Sequence, residues 1–240
     1  MIIDFFLRFV YHKINWFNNE RVLKLLKKEK GNDYETLKEE LLNQKKNGCL
    51  KIDAKQINLS DKFSEGYKDF LDKAKTEREA VRESIKLAKK AGFKEFTRGE
   101  KYKAGDKVYY NNRNKALTLA IIGKNGTKDG VKLAIAHIDS PRLDLKPNPL
   151  YESDNNALFK THYYGGIKKY QWTAIPLALH GIIVTKSGKT IEVNIGENQN
   201  EPCFCVTDLL PHLAKEQMSK PMQKSILGEN LNVLVGSRPF

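Results

Sequence analysis

The chain has 240 residues, 40% of them hydrophobic, and carries a formal net charge of +13. That length buries a real core in one large or two modest domains, and that composition excludes a disordered chain. The charge alone does not make a nucleic-acid binder, because the lysines alternate with acids along helices, as in Lys68-Asp69, Asp72-Lys73 and Lys75-Thr76-Glu77-Arg78-Glu79. Residues 1–10 are apolar but broken by Asp4 and Arg8. They fall far short of the ~20 residues that cross a bilayer, and they lack a basic leader with a small-residue cleavage site. The expectation is a cytoplasmic protein with no membrane span. The cysteines, Cys49, Cys203 and Cys205, are odd in number, which points to a reducing compartment. Cys203-Phe204-Cys205 has no second pair or nearby histidine to complete a zinc site, so two small apolar core side chains are expected there.

Val22, Leu25 and Leu26, then Leu37, Leu41 and Leu42, have helical spacing, with a break at Gly31-Asn32-Asp33 and a stop at Asn47-Gly48. Phe63, Tyr67, Phe70, Leu71 and Ala74 form one apolar helix face. Thr76-Glu77-Arg78-Glu79 fits a capping box, Ala80, Val81, Ile85 and Ala88 mark a buried stripe, and Gly92 closes that helix. The period then changes. Lys107-Val108-Tyr109-Tyr110 is strand-like, Asn111-Asn112-Arg113-Asn114 is turn chemistry, and residues 117–122 form a second strand. Residues 131–136 read as a third, buried strand. A helix pair feeding apolar strands predicts an α/β domain.

His137 and Asp139 follow that third run. In extended chain, residues i and i+2 project to one side, which is the geometry of a metal ligand beside the carboxylate that holds its other ring nitrogen. It is equally the geometry of ordinary sequence. Lys146-Pro147-Asn148-Pro149 is rigid and suggests a domain boundary. Residues 177–184 and 190–195 around Lys186-Ser187-Gly188-Lys189 predict a hairpin. Residues 203–206 predict a short strand, and Thr207 predicts the cap of a short helix carrying Leu209, Leu210 and Leu213.

The stretch Ala136-His137-Ile138-Asp139-Ser140-Pro141-Arg142-Leu143-Asp144-Leu145-Lys146-Pro147 resembles the signature of the M18 family of metalloaminopeptidases. The resemblance continues through Thr161-His162-Tyr163-Tyr164-Gly165-Gly166, Leu179-His180-Gly181 and Thr207-Asp208-Leu209-Leu210-Pro211-His212-Leu213. It reaches back to Phe63-Ser64-Glu65-Gly66-Tyr67 and Thr76-Glu77-Arg78-Glu79, covering roughly residues 60–240.

The resemblance implies an exopeptidase that removes N-terminal residues from peptides using two Zn2+ ions. Its fold class would be α/β, a partial α/β/α sandwich catalytic domain with an inserted β-rich dimerisation domain. Residues 1–59 would then be a helical amino-terminal extension, 60–150 the amino-terminal part of the catalytic domain, and 151–240 the dimerisation domain. His137 matches the first metal ligand and Asp139 the aspartate that orients it. His212 lies near the family's histidine that reaches a partner subunit's substrate pocket, whereas His162 and His180 are expected not to be ligands. The family's remaining ligands are a bridging aspartate, a Glu-Glu pair, another aspartate and a final histidine, all downstream. Residues 213–240 contain no histidine, with Glu216 and Glu229 as their only carboxylates. The expectation is therefore an amino-terminal fragment, inactive alone, whose partners are peptide substrates and either a second copy of itself or a complementary carboxyl-terminal half. A non-catalytic dimerisation protein is the alternative, and neither nucleic acid nor membrane is expected as a partner.

Overall fold

The computed structural model describes residues 34–43, 45 and 47–238. The apolar start, the helix expected around Val22 and the break at Gly31-Asn32-Asp33 lie outside them. The chain divides into two units, Met1–Lys62 and Phe63–Phe240.

In the first unit, helix α1 spans Tyr34–Leu41. The Asn47 side chain then accepts a hydrogen bond from the Cys49 amide at 3.0 Å, opening a single 3-10 turn, Gly48–Leu50. Helix α2, Ala54–Lys73, begins with a reciprocal cap. Asp53 Oδ1 accepts from the Gln56 amide at 2.7 Å, and Gln56 Oε1 accepts from the Asp53 amide at 3.2 Å.

In the second unit, α2 continues with Phe63, Tyr67 and Leu71 exposed, so the apolar face read from the sequence lies open among the described residues. Helix α3, Glu77–Lys90, carries the expected capping box. The Thr76 hydroxyl accepts from the Glu79 amide at 3.4 Å, while Glu79 Oε2 accepts from the Thr76 amide at 2.9 Å. Ala80, Val81 and Ala88 bury the predicted stripe. Gly92, at φ 85°, closes the helix, and the amide of Phe93 reaches back to the Ala88 carbonyl. Replacing Thr76 with alanine removes one of these bonds and is expected to cost about 1 kcal/mol, the usual loss at such a cap. Urea unfolding at neutral pH measures it, and an unchanged midpoint would show that the cap is not limiting.

Helix α3 lies against a three-stranded sheet ordered β1–β2–β3, formed by Lys94–Glu95, Lys107–Asn112 and Ala116–Ile121. The turn between β2 and β3 places Arg113 and Asn114 both at φ 57°, as the asparagine-rich run predicts. Val108 and Tyr109, adjacent and so on opposite faces of β2, are both buried.

The third strand expected at residues 131–136 does not form. Residues 131–141 are irregular, and Val131, Leu133 and Ile135 are 62%, 76% and 82% exposed. A strand exists only where its amides and carbonyls find a ladder, and among the described residues none pairs with this run. The alternation is present; among the described residues the partner strand is not.

A second sheet follows, ordered β4–β5–β9–β8. Its strands are β4 (Arg142–Ser153), β5 (Asn156–Tyr164), β8 (Cys205–Val206) and β9 (Val233–Gly236). Lys146-Pro147-Asn148-Pro149 lies inside β4, at the break in register between Leu145 and Leu150. Two prolines without amide hydrogens account for that irregularity. Hairpin β6–β7, Leu179–Val184 with Thr190–Ile195, forms as the turn chemistry predicts. Val206, Ile226, Leu231 and Val233 make the buried cluster under the second sheet, with Leu143, Phe159, Tyr170, Trp172 and Phe204 against it.

Two further local expectations are overturned. The helix capped by Thr207 is absent: residues 207–210 are irregular, and Leu209, Leu210 and Leu213 are exposed. Pro211 explains this, since it lacks an amide hydrogen and steers Leu210 away from helical angles. Short helices α4 and α5 form later, at Lys215–Ser219 and Met222–Ser225. The two cysteines of the C-x-C pair are not both in a core. Cys205 sits half-buried in β8, whereas Cys203 is exposed before the strand begins.

A candidate metal-ligand corner at His137 and Asp139

The irregular segment that carries His137 runs directly into β4. Although no strand forms there, the i, i+2 pair does meet. His137 Nδ1 lies 3.1 Å from Asp139 Oδ1 and 3.1 Å from the Asp139 backbone carbonyl. Both acceptors are oxygens, so the ring satisfies them with the proton on Nδ1. In the neutral ring Nε2 then carries the lone pair, and it has no hydrogen-bond partner among the described residues. The His137 side chain is 82% exposed and that of Asp139 37%.

The second Asp139 oxygen is also engaged. Tyr164, the last residue of β5, donates its hydroxyl to Asp139 Oδ2 at 2.9 Å. This hydrogen bond is the main reason the Asp139 carboxyl lies below its ordinary value, with the bond from His137 adding to it. The same contact pushes the Tyr164 hydroxyl up. Tyr164 is brought here by register, because it stands opposite Arg142 where the β4–β5 hairpin opens. The Arg142 guanidinium lies 4.1 Å from the centre of the Tyr164 ring. It donates to Asp144 at 2.7 Å and to the Ser140 carbonyl at 3.2 Å, and it pairs with Glu77 of α3 at 3.1 Å.

The other histidines lie elsewhere in the fold. His162 stacks on Tyr163 with centroids 5.4 Å apart. His180 is held between Glu79 at 2.9 Å and Glu197 at 2.8 Å. A cleft of about 280 Å³ beside it is lined by acids and bases together, among them Asp72, Glu79, Arg82, Glu83 and Glu197. His212 is exposed on the turn at residues 211–213. Tyr164, Arg142 and Glu77 were not singled out from the sequence. They lie inside the blocks that carry the resemblance, but only the strand register brings them to Asp139.

Zinc can be tested against these donors. His137, with Nδ1 tied to a carboxylate and Nε2 open, has the chemistry of one zinc ligand. Among the described residues no group of three or more His, Cys, Asp or Glu side chains converges to hold an ion. The fit is to one corner of a site.

Comparison with known proteins identifies the family. A family model described as aminopeptidase I zinc metalloprotease (M18) matches residues 70–238. A probable M18 family aminopeptidase 1 of Clostridium acetobutylicum is 50% identical over 205 residues, 84% of this chain and 44% of that protein. The solved M18 aminopeptidase of Thermotoga maritima superposes with a TM-score of 0.75 at 41% identity, covering 83% of this chain and 43% of that one. Aminopeptidase I of Borrelia burgdorferi B31 superposes with a TM-score of 0.69 at 39% identity, covering 81% and 44%. The chain belongs to the M18 family of zinc metallopeptidases, whose named relatives are aminopeptidases and hence hydrolases. It spans less than half the length of the curated relatives it matches. Among the described residues no helix is long and apolar enough to cross a membrane.

Proposed function

We propose that this chain supplies the amino-terminal portion of a zinc-dependent aminopeptidase that removes N-terminal residues from peptides, with His137 as a metal ligand and Asp139 as the group that orients it. The observation that carries the reading is the 3.1 Å contact from His137 Nδ1 to Asp139 Oδ1, inside the family-matched segment. Zinc, when bound, supplies a Lewis acid and an activated water. Asp139 does the protein's work at this corner. It accepts a hydrogen bond from Nδ1–H, selects the tautomer and raises the basicity of Nε2. Nitrogen and oxygen donors of this kind also accept other divalent ions.

In the same reading residues 60–150 are the amino-terminal part of an α/β/α sandwich and residues 151–240 a β-rich dimerisation domain, with residues 1–59 a helical extension. The assembly is dimer-based and cytoplasmic, and His212 reaches the substrate pocket of a partner subunit. The isolated chain is expected to bind zinc weakly and to leave aminoacyl-arylamides unhydrolysed with or without added zinc. Robust, chelator-sensitive turnover by the isolated chain would overturn the fragment reading. Where a complementary carboxyl-terminal half restores turnover, His137→Ala is expected to abolish it.

A second reading is a non-catalytic interaction protein that pairs with such a half or with a full-length homologue. The open apolar run at Val131, Leu133 and Ile135 favours it, since an alternating strand without a ladder calls for a partner. Light scattering after size exclusion separates the two: a clean monomer, even after mixing with the other half, counts against pairing.

A further inference from the structure

Both oxygens of Asp139 are in use, and they are used differently. Oδ1 meets the His137 imidazole and Oδ2 meets the Tyr164 hydroxyl. A carboxylate that is over one-third exposed is free to rotate and to trade its partners for water. Fixing one oxygen fixes the other, because the two share a plane. The Tyr164 ring has contacts of its own. Its strand position is set opposite Arg142, whose guanidinium stacks on the ring and is tied to Glu77, Asp144 and the Ser140 carbonyl. The next residue, Gly165, has φ +79° and passes Pro141, to which an added Cβ would come within 3.6 Å. The chain after Tyr164 and the chain after Asp139 are thus held side by side. Four linked polar contacts run from the first turn of α3 to the imidazole, through Glu77, Arg142, Tyr164, Asp139 and His137.

We propose that Tyr164 is a positioning residue for the metal-binding corner: its hydroxyl clamps Asp139, so that His137 keeps its proton on Nδ1 and offers Nε2 to a divalent cation. The proposal rests on the reading of His137 as a ligand. It adds the residue that makes that ligand pre-organised. An exposed histidine with an unclamped neighbour samples both tautomers, and the form protonated on Nε2 cannot bind a metal through that atom. The hydroxyl is one atom, and its removal leaves the ring in place for Arg142 to stack on.

The test uses the whole chain, uniformly labelled with nitrogen-15, and reads the tautomer of His137 from long-range proton–nitrogen spectra. The His137→Gln variant identifies the signal by its loss. In the wild type the neutral ring is expected to be protonated on Nδ1. In Tyr164→Phe it is expected to become a mixture, with the thermal midpoint little changed. Zn2+ is then titrated while the His137 Nε2 shift is followed, and the midpoint in Tyr164→Phe is expected to rise roughly 2- to 10-fold, by the inverse of the fraction of rings still protonated on Nδ1. A wild-type ring protonated on Nε2 overturns the proposal without reference to any variant. So does a Tyr164→Phe chain with an unchanged tautomer and an unchanged zinc midpoint. If Zn2+ does not move the wild-type Nε2 signal, the ligand reading of His137 fails, and the tautomer comparison alone then upholds or overturns the clamp.

Discussion

Replacing Leu231 with alanine is expected to destabilise the second unit by about 2–5 kcal/mol, as large-to-small changes at fully buried sites do. Leu231 is 0% exposed, the deepest residue of the cluster formed with Val206, Ile226 and Val233. It sits between the 3-10 turn Gly228–Asn230 and β9, so its backbone is fixed on both sides and the cavity left by truncation cannot readily collapse. Its carbonyl accepts the hydroxyl of Thr161, the buried polar residue of β5. One residue therefore joins the apolar cluster to the hydrogen bonding of the sheet. Denaturant unfolding with intrinsic fluorescence measures the loss, and a change below about 1 kcal/mol would mean that the site closes around alanine.

The second large effect is expected at His180. Its ring stands between the carboxylates of Glu79 and Glu197, and the His180 and Glu79 side chains are both largely buried. The contact ties α3 to hairpin β6–β7, assisted by Arg82 and Glu192 at 3.0 Å. His180→Ala takes the 2.9 Å partner from the largely buried Glu79 and leaves it the Thr76 bonds and Arg82 at 3.8 Å. Removing a hydrogen-bond partner from a largely buried carboxylate costs about 1–3 kcal/mol, because the group stays desolvated.

The loss depends on pH. Burial pushes the Glu79 carboxyl up, but the hydrogen bond and charge of His180, with two bonds from Thr76, outweigh it and hold the carboxyl below its ordinary value of 4.5. A carboxyl lowered by folding stabilises the fold above its unfolded value and ceases to do so as pH falls through the folded one. The penalty of His180→Ala is therefore expected to be full near neutral pH and to fade as pH drops below the ordinary carboxyl value. Melting curves of both proteins from pH 7 to pH 3 follow it. A penalty that stays constant over that range would show that packing, not charge, sets it.

What was legible in the sequence was what is decided locally. Thr76 and Glu79 are three residues apart and cap each other by side-chain chemistry alone. The asparagines before β3 and Gly188 before β7 specify turns in the same way. His137 and Asp139 met because two residues of extended chain suffice to bring them together, and the family blocks around them told the same story. What was not legible depends on partners remote in sequence. Alternation at residues 131–136 is identical whether or not a neighbouring strand exists. Tyr164 reaches Asp139 across 25 residues, through a hairpin register that contains an irregularity. Glu79 reaches His180 across 101 residues. The misread helix after Thr207 is different in kind. Pro211 was visible, and its effect on Leu210 outweighed a favourable cap and three leucines.

The break in register within β4 has a consequence for growth of the second sheet. Among the described residues β4 is an outer strand, bonded only to β5. An outer strand normally offers a row of amides and carbonyls onto which another chain can stack. Pro147 and Pro149 remove two amide hydrogens from that strand, and the irregularity around them bends what is left. At the opposite border, β8 is only two residues long. The sheet that carries the buried cluster is thus guarded against stacking on both borders, by missing donors on one and, on the other, by residues 173–177, which bond to Phe204 and Val206.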